Sequence, residues 1–174
     1  MHHSSTRRRL LIAAGLPLGF ALAGTLGACG FELRRAPVLK FKTIQLANFA
    51  RHSPIAEELR NNINASSTTI VVEALAQAQV VLEAIDDLRE KIVVASTAVG
   101  QVTEFTLRER FTFRLRSVAG RELIPRTELV QSRDFSYTES AALAKETEEN
   151  FLYRTMQSDL VSQVMRRLAS LQTF

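Results

Sequence analysis

The chain has 174 residues, with 22 basic and 18 acidic side chains, three histidines, one cysteine and no tryptophan. A single cysteine forms no internal disulfide, and the scarcity of histidine and cysteine excludes the usual zinc sites and a cysteine–histidine catalytic pair. A hydrophobic share of 46% over this length is enough for one domain with its own core.

The N-terminal stretch reads TRRRLLIAAGLPLGFALAGTLGA. Arg7, Arg8 and Arg9 make a basic head, Leu10 to Leu26 carries no charge, and small residues Gly27 and Ala28 follow. That is the layout of an export signal over residues 1–28. A retained anchor helix is the competing reading. A span needs about 20 predominantly apolar residues, whereas this run is shorter and carries Gly15, Pro17, Gly19 and Gly24. The segment Thr6 to Leu11 resembles a twin-arginine motif, but the same arginines serve the Sec route. Without residues 1–28 the balance is 19 basic against 18 acidic side chains over 146 residues, so net charge makes no case for nucleic acid.

Leu26-Gly27-Ala28-Cys29 looks like a bacterial lipobox, in which small residues let an extended chain enter a peptidase cleft. Each acyl methylene buried in a bilayer contributes about 0.8 kcal/mol, and stable anchoring takes more than one chain. A lipidated Cys29 with an acylated amine meets that need and explains the odd cysteine. Gly30, where an aspartate would retain the protein in the inner membrane, favours the outer membrane by the same resemblance. Residues 29–37 are then a lipidated tether, and 38–174 the folded domain.

In chain order, VLKFKTIQLA alternates as a strand over 38–47, with Leu39, Phe41, Thr43 and Gln45 on one face and Val38, Lys40, Lys42, Ile44 and Leu46 on the other. Ser53-Pro54 is a helix start, and Ile55, Leu59 and Ile63 predict an amphipathic helix over 54–64. TIVVEA suits a short strand. QVVLEAI and KIVVASTAV read as two strands, or as one long strand bent at Asp86-Asp87. VTEFTLRERFTFRLRS, over 102–117, places Phe105, Leu107, Phe111, Phe113 and Leu115 on one face, interrupted only by Glu109. VAGRE is a hairpin turn with Gly120 at its tip. The strand ELIPRTELVQSRDFSY follows, with Pro125 best tolerated at an edge or bulge. A helix runs from about Ser140 to Leu171, with Met156, Leu160, Val164, Leu168 and Leu171 as its stripe. These elements give an α+β fold: an antiparallel or mixed four-stranded sheet with two helices on one face.

Catalysis has little support. His2 and His3 leave with the export signal, only His52 remains, no serine sits in a G-x-S-x-G elbow, and Asp86-Asp87 is an ordinary solvated pair. No catalytic residue, metal ligand or cofactor is expected beyond the lipid on Cys29. The second face of the 102–117 strand is more suggestive, because Arg108, Arg110, Arg114 and Arg116 take alternate positions along it, with about 6.5–7 Å between i, i+2 pairs. Guanidinium groups match phosphate bidentately. The row suits a phosphorylated glycolipid, an acidic protein surface, or simply a solvated face kept from aggregating.

CGFELR after the leader, VGQVTEFTLR in the middle, and SRDFSYTESAALAKETEENFLYRTMQSDLVSQVMRRL at the end together resemble the LPS-assembly lipoprotein LptE family. The resemblance runs from Arg7 to Leu171 and is most specific where the last strand enters the helix. It implies a small sheet with two helices, seated as a plug in the outer-membrane β-barrel LptD. It also implies support of barrel assembly and binding of lipopolysaccharide on the periplasmic side of the outer membrane. Lys145, in Leu143-Ala144-Lys145, matches the family's lipopolysaccharide-contacting lysine. Ala98 stands where the family has a second basic contact, and Arg108, Arg110 or Arg133 is expected to compensate. A scaffold or chaperone that docks an envelope protein without touching lipopolysaccharide is the alternative.

Overall fold

The computed structural model describes residues 38–171; the export signal, Cys29 and the tether lie outside them. The elements are β1 (Thr43–Ala47), α1 (Pro54–Asn64), β2 (Ile70–Val72), β3 (Val80–Ser96), β4 (Val102–Ser117), β5 (Glu122–Ser136) and α2 (Ala142–Ala169). They form an α+β fold in which both helices cover one face of a mixed sheet. The sheet has five strands in the order β2-β1-β3-β4-β5, not the four expected. The fifth is β2, whose three residues are too few to show a period of two. Its place is fixed by parallel pairing to β1, Thr43 opposite Ile70 and Gln45 opposite Val72. β1 is parallel to β3 as well, so α1 serves as a crossover.

The first expected strand shrinks to residues 43–47, and its predicted faces fail. Leu39, Phe41 and Ile44 all reach the core, although they differ in parity, because the chain bends at Lys42 before pairing begins. α1 runs where Ser53-Pro54 and the apolar spacing place it. Ser53 Oγ accepts from Ala56 N at 3.3 Å, and Ile55, Leu59 and Ile63 are buried. α2 begins after a 3-10 turn at Glu139–Ala141 and buries Met156, Leu160, Val164 and Leu168.

β3 is one strand of 17 residues, and its first irregularity falls at Ile85, between Ala84 and Asp86. The extra residue inverts the phase from Asp86 to Val93, after which the register shifts again. Before it, Val80, Leu82 and Ala84 face the helices. After it, Asp87, Arg89, Lys91 and Val93 lie opposite Phe111, Glu109, Leu107 and Phe105 on that same side, while Leu88, Glu90 and Ile92 turn outward.

The β3–β4 and β4–β5 turns repeat one solution. In each, a Thr97 or Ser117 amide donates across the turn, to Gln101 O or Arg121 O, at 2.8 Å. In each, the hydroxyl of the same residue accepts the return amide at 3.1 Å. Gly100 and Gly120 take φ of +83° and +90°, values that disfavour any side chain. Pro125 sits on edge strand β5 inside a register shift, an edge and a bulge at once.

The interior holds two apolar clusters. The larger joins Leu39, Phe41, α1 and the C-terminal half of α2 to Val80, Leu82, Phe111, Phe113 and Leu115. The smaller comprises Leu107, Phe135, Tyr153 and Met156, with Phe105, Tyr137 and Leu152 packed against them.

Candidate functional site

The arginine row of β4 lies on the sheet face turned away from the helices, and β3 answers its charge. Glu83 accepts from Arg114 Nε and Arg116 Nε, both at 2.6 Å. Arg110 lies 3.7 Å from Asp86, and Arg108 lies 3.9 Å from Glu90. Burial works against the charge of Glu83, but hydrogen bonds from Arg116 and Arg114 outweigh it and hold the carboxyl below its ordinary range. The row is therefore one half of a cross-strand charge ladder, with Leu88, Ile92 and Val130 partly exposed alongside.

On the helix side, Glu109 is fully buried, which explains the interruption of the apolar face. Arg89 Nε donates to its Oε1 at 3.0 Å and Arg89 Nη2 to Gln157 Oε1 at 2.9 Å. Gln157 Nε2 then donates to Glu58 Oε2 and Ser158 Oγ to Glu58 Oε1, both at 2.7 Å. The second carboxylate oxygen of Glu109 has no partner. Burial, opposed by Arg89, pushes the Glu109 carboxyl above its ordinary value. Asp87 moves the same way for the same reason, with Arg89 and the Ser53 hydroxyl opposing. This polar belt runs across the molecule between the two apolar clusters.

Beyond the belt, at the end of the sheet that carries the β3–β4 turn, lies a cleft of about 690 Å³. Lys91, Phe105 and Tyr137 line it with Thr103, Thr138 and Ser140. Phe105 stacks on Phe135 with centroids 6.3 Å apart and meets Tyr137 edge-on at 5.7 Å. Lys91 Nζ stands 4.3 Å from the Phe105 centroid and 5.6 Å from that of Phe135. Lys145, from the first turns of α2, places its Nζ 5.3 Å from the same Phe135 ring, donating to Ser136 Oγ at 3.1 Å and Glu148 Oε2 at 2.8 Å. Ammonium groups over aromatic faces are attracted by the ring quadrupole. Lys91 on the cleft wall, Lys145 beside it, the rings of Phe105 and Tyr137 and a rim of hydroxyls with Glu139 can hold a molecule that is anionic at one end and apolar at the other.

Of the residues expected to act together, Lys145 alone lies beside this cleft. Arg133 is on the helix side but is tied to Asp159 of α2 at 3.1 Å. Arg108 and Arg110 are on the opposite face of the sheet and do not reach Lys145. Ala98 is exposed in the β3–β4 turn. Lys91 is the cation that the sequence reading passed over, because KIVVASTAV was read as a strand with no face assigned to its residues. A usable clue was Glu109: an acid on an apolar face demands a cation opposite, and pairing it with Arg89 puts Lys91 beside Leu107.

The LptE family model, described as lipopolysaccharide-assembly, matches residues 41–168. Among solved structures, the uncharacterized lipoprotein B from Nitrosomonas europaea is 28% identical with a TM-score of 0.69, covering 81% of this chain and 91% of that one. The minor lipoprotein from Acinetobacter baumannii shares the fold at 20% identity and a TM-score of 0.62, over 76% of this chain and 94% of that one. The rare lipoprotein B from Shewanella oneidensis does so at 19% identity and a TM-score of 0.62, over 74% and 95%. The comparison with curated proteins found no match. With the family model spanning well over half of its length and a lipoprotein B fold beneath it, the chain belongs to the LptE lipopolysaccharide-assembly family.

Proposed function

We propose that this protein is a non-enzymatic outer-membrane lipoprotein, anchored on the periplasmic side through a lipid on Cys29. In this reading it plugs and assists the LptD barrel and binds lipopolysaccharide on its way to the outer leaflet. Membership in a lipopolysaccharide-assembly family supports it. The observation that carries the binding claim is Lys145, held against Phe135 beside the cleft. Its ammonium would meet a lipid A phosphate while the rings meet the apolar part. Arg133, which is not on the cleft wall, and Arg108 and Arg110, on the far face, fall outside that site. The far face, with its charge ladder and exposed aliphatic side chains, suits a protein wall better than a phosphate, and it is the surface we assign to the barrel.

Lys145→Ala in the full-length lipoprotein is expected to weaken lipopolysaccharide binding about tenfold, the loss of one charge-assisted contact of roughly 1.5 kcal/mol. Equal retention by both proteins would remove the site. Affinity purification from outer membranes should recover a large β-barrel, and recovery of small lipoproteins alone would sink the partner claim. A barrel recovered by a protein that binds no lipopolysaccharide would instead favour the scaffold reading.

A further inference from the structure

We infer that Lys91 is the second cation of the lipopolysaccharide site, and that Glu149 and Glu148 are built-in counter-ions which an incoming lipid phosphate displaces. The inference rests on the proposed binding of lipopolysaccharide at the cleft and names the residues that perform it. Lys91 and Lys145 flank one ring, Phe135, at 5.6 and 5.3 Å, although one comes from β3 and the other from α2. Each is answered by a carboxylate of α2: Lys91 Nζ by Glu149 Oε2 at 2.6 Å, and Lys145 Nζ by Glu148 Oε2 at 2.8 Å.

Lys91 lines the cleft and leaves 33% of its side chain accessible, so an entering group reaches it without rebuilding the fold. A partly exposed Lys–Glu pair is a weak interaction that a stronger anion can replace. A phosphate monoester brings up to two negative charges and three acceptor oxygens, and the hydroxyls of Thr103, Thr138 and Ser140 on the cleft wall can complete its shell. The rings of Phe105 and Tyr137 face the same space and suit the apolar body of a glycolipid. The ligand class is thus a phosphorylated amphiphile, held by two ammoniums released from their own carboxylates. Ala98 leaves the β3–β4 turn without a charge, and Lys91 supplies one from within the strand before it.

Lys91→Gln and Glu149→Gln break the same ion pair, so their comparison separates a binding role from a structural one. Full-length lipoprotein in detergent is titrated with bisphosphorylated lipid A, with dephosphorylated lipid A, and with inorganic phosphate as competitor. Lys91→Gln is expected to weaken bisphosphorylated lipid A about tenfold, and Glu149→Gln to strengthen it about threefold. Both effects should vanish with dephosphorylated lipid A. Parallel weakening in both variants would show a structural pair and overturn the inference. Unchanged binding in Lys91→Gln with weakening in Lys145→Gln would remove Lys91 while leaving the lipopolysaccharide reading in place. Unchanged binding in all three would remove that reading as well. Full competition by millimolar phosphate would reassign the site to free phosphate and overturn the glycolipid class.

Discussion

Arg89→Ala is expected to cost about 3–5 kcal/mol at neutral pH, toward the lower end because the arginine itself is partly solvated. The cost comes from Glu109, which stays fully buried with its charge uncompensated. The sign of the pH dependence follows. Burial already raises the Glu109 carboxyl above its ordinary 4.5, so the folded state holds that proton more tightly than the unfolded state. Such a group lowers stability above its folded pKa, and the penalty fades as pH falls through the folded value toward the unfolded one. Removing Arg89 takes away the two influences that hold this pKa down and moves the window closer to neutral. Urea unfolding at pH 7.5 and 5.5 should therefore show a deficit that shrinks on acidification, and Glu109→Gln in the same background should restore most of the loss. An equal deficit at both pH values would mean that the damage is to packing and not to charge.

Phe111→Ala is the second large effect, at about 3–5 kcal/mol. The ring is fully buried, stacks on Phe49 at 5.9 Å and Phe113 at 5.7 Å, and joins the sheet to both helices within the larger cluster. Its neighbours are held by three strands and the β1–α1 loop, so the void cannot collapse cheaply. The denaturation midpoint should fall with little change in the slope against denaturant. A loss below about 1 kcal/mol would show that the cluster repacks freely.

These two residues also mark what the sequence could and could not tell. Phe111 was legible because 102–117 alternates with a single interruption, at Glu109, and α1 because a capped Pro start and four-residue spacing agree. Arg89 and Lys91 were not. A bulge at Ile85 has no residue signature of its own, yet it decides which alternate residues of β3 face the helices, and a period of two carried across it gives the wrong side from Asp86 to Val93. β2 was legible as a short strand in TIVVEA but not as a member of the sheet, since three residues join a sheet only through the neighbour they pair with. The arginine row was read correctly as one face, but its neutralisation by Glu83, Asp86 and Glu90 depends on register, which composition does not set. Lys145 came from resemblance, and only the coordinates put it around a ring with Lys91.

The belt of Glu109, Arg89, Gln157 and Glu58 has a dynamic consequence. It divides the interior into two compartments, and apolar contacts on one side are not continued on the other. Opening free energies within one domain differ where cooperative packing is interrupted. The compartment of Leu107, Phe135, Tyr153 and Met156 therefore fluctuates on its own, while the larger one keeps the chain folded. Amide exchange should be faster at Leu107 and Tyr153 than at Phe111 and Leu160, and uniform protection across the belt would refute the division. A cleft built on the smaller compartment can loosen and close again with the domain behind it undisturbed, which is what the proposed binding of a glycolipid there would require.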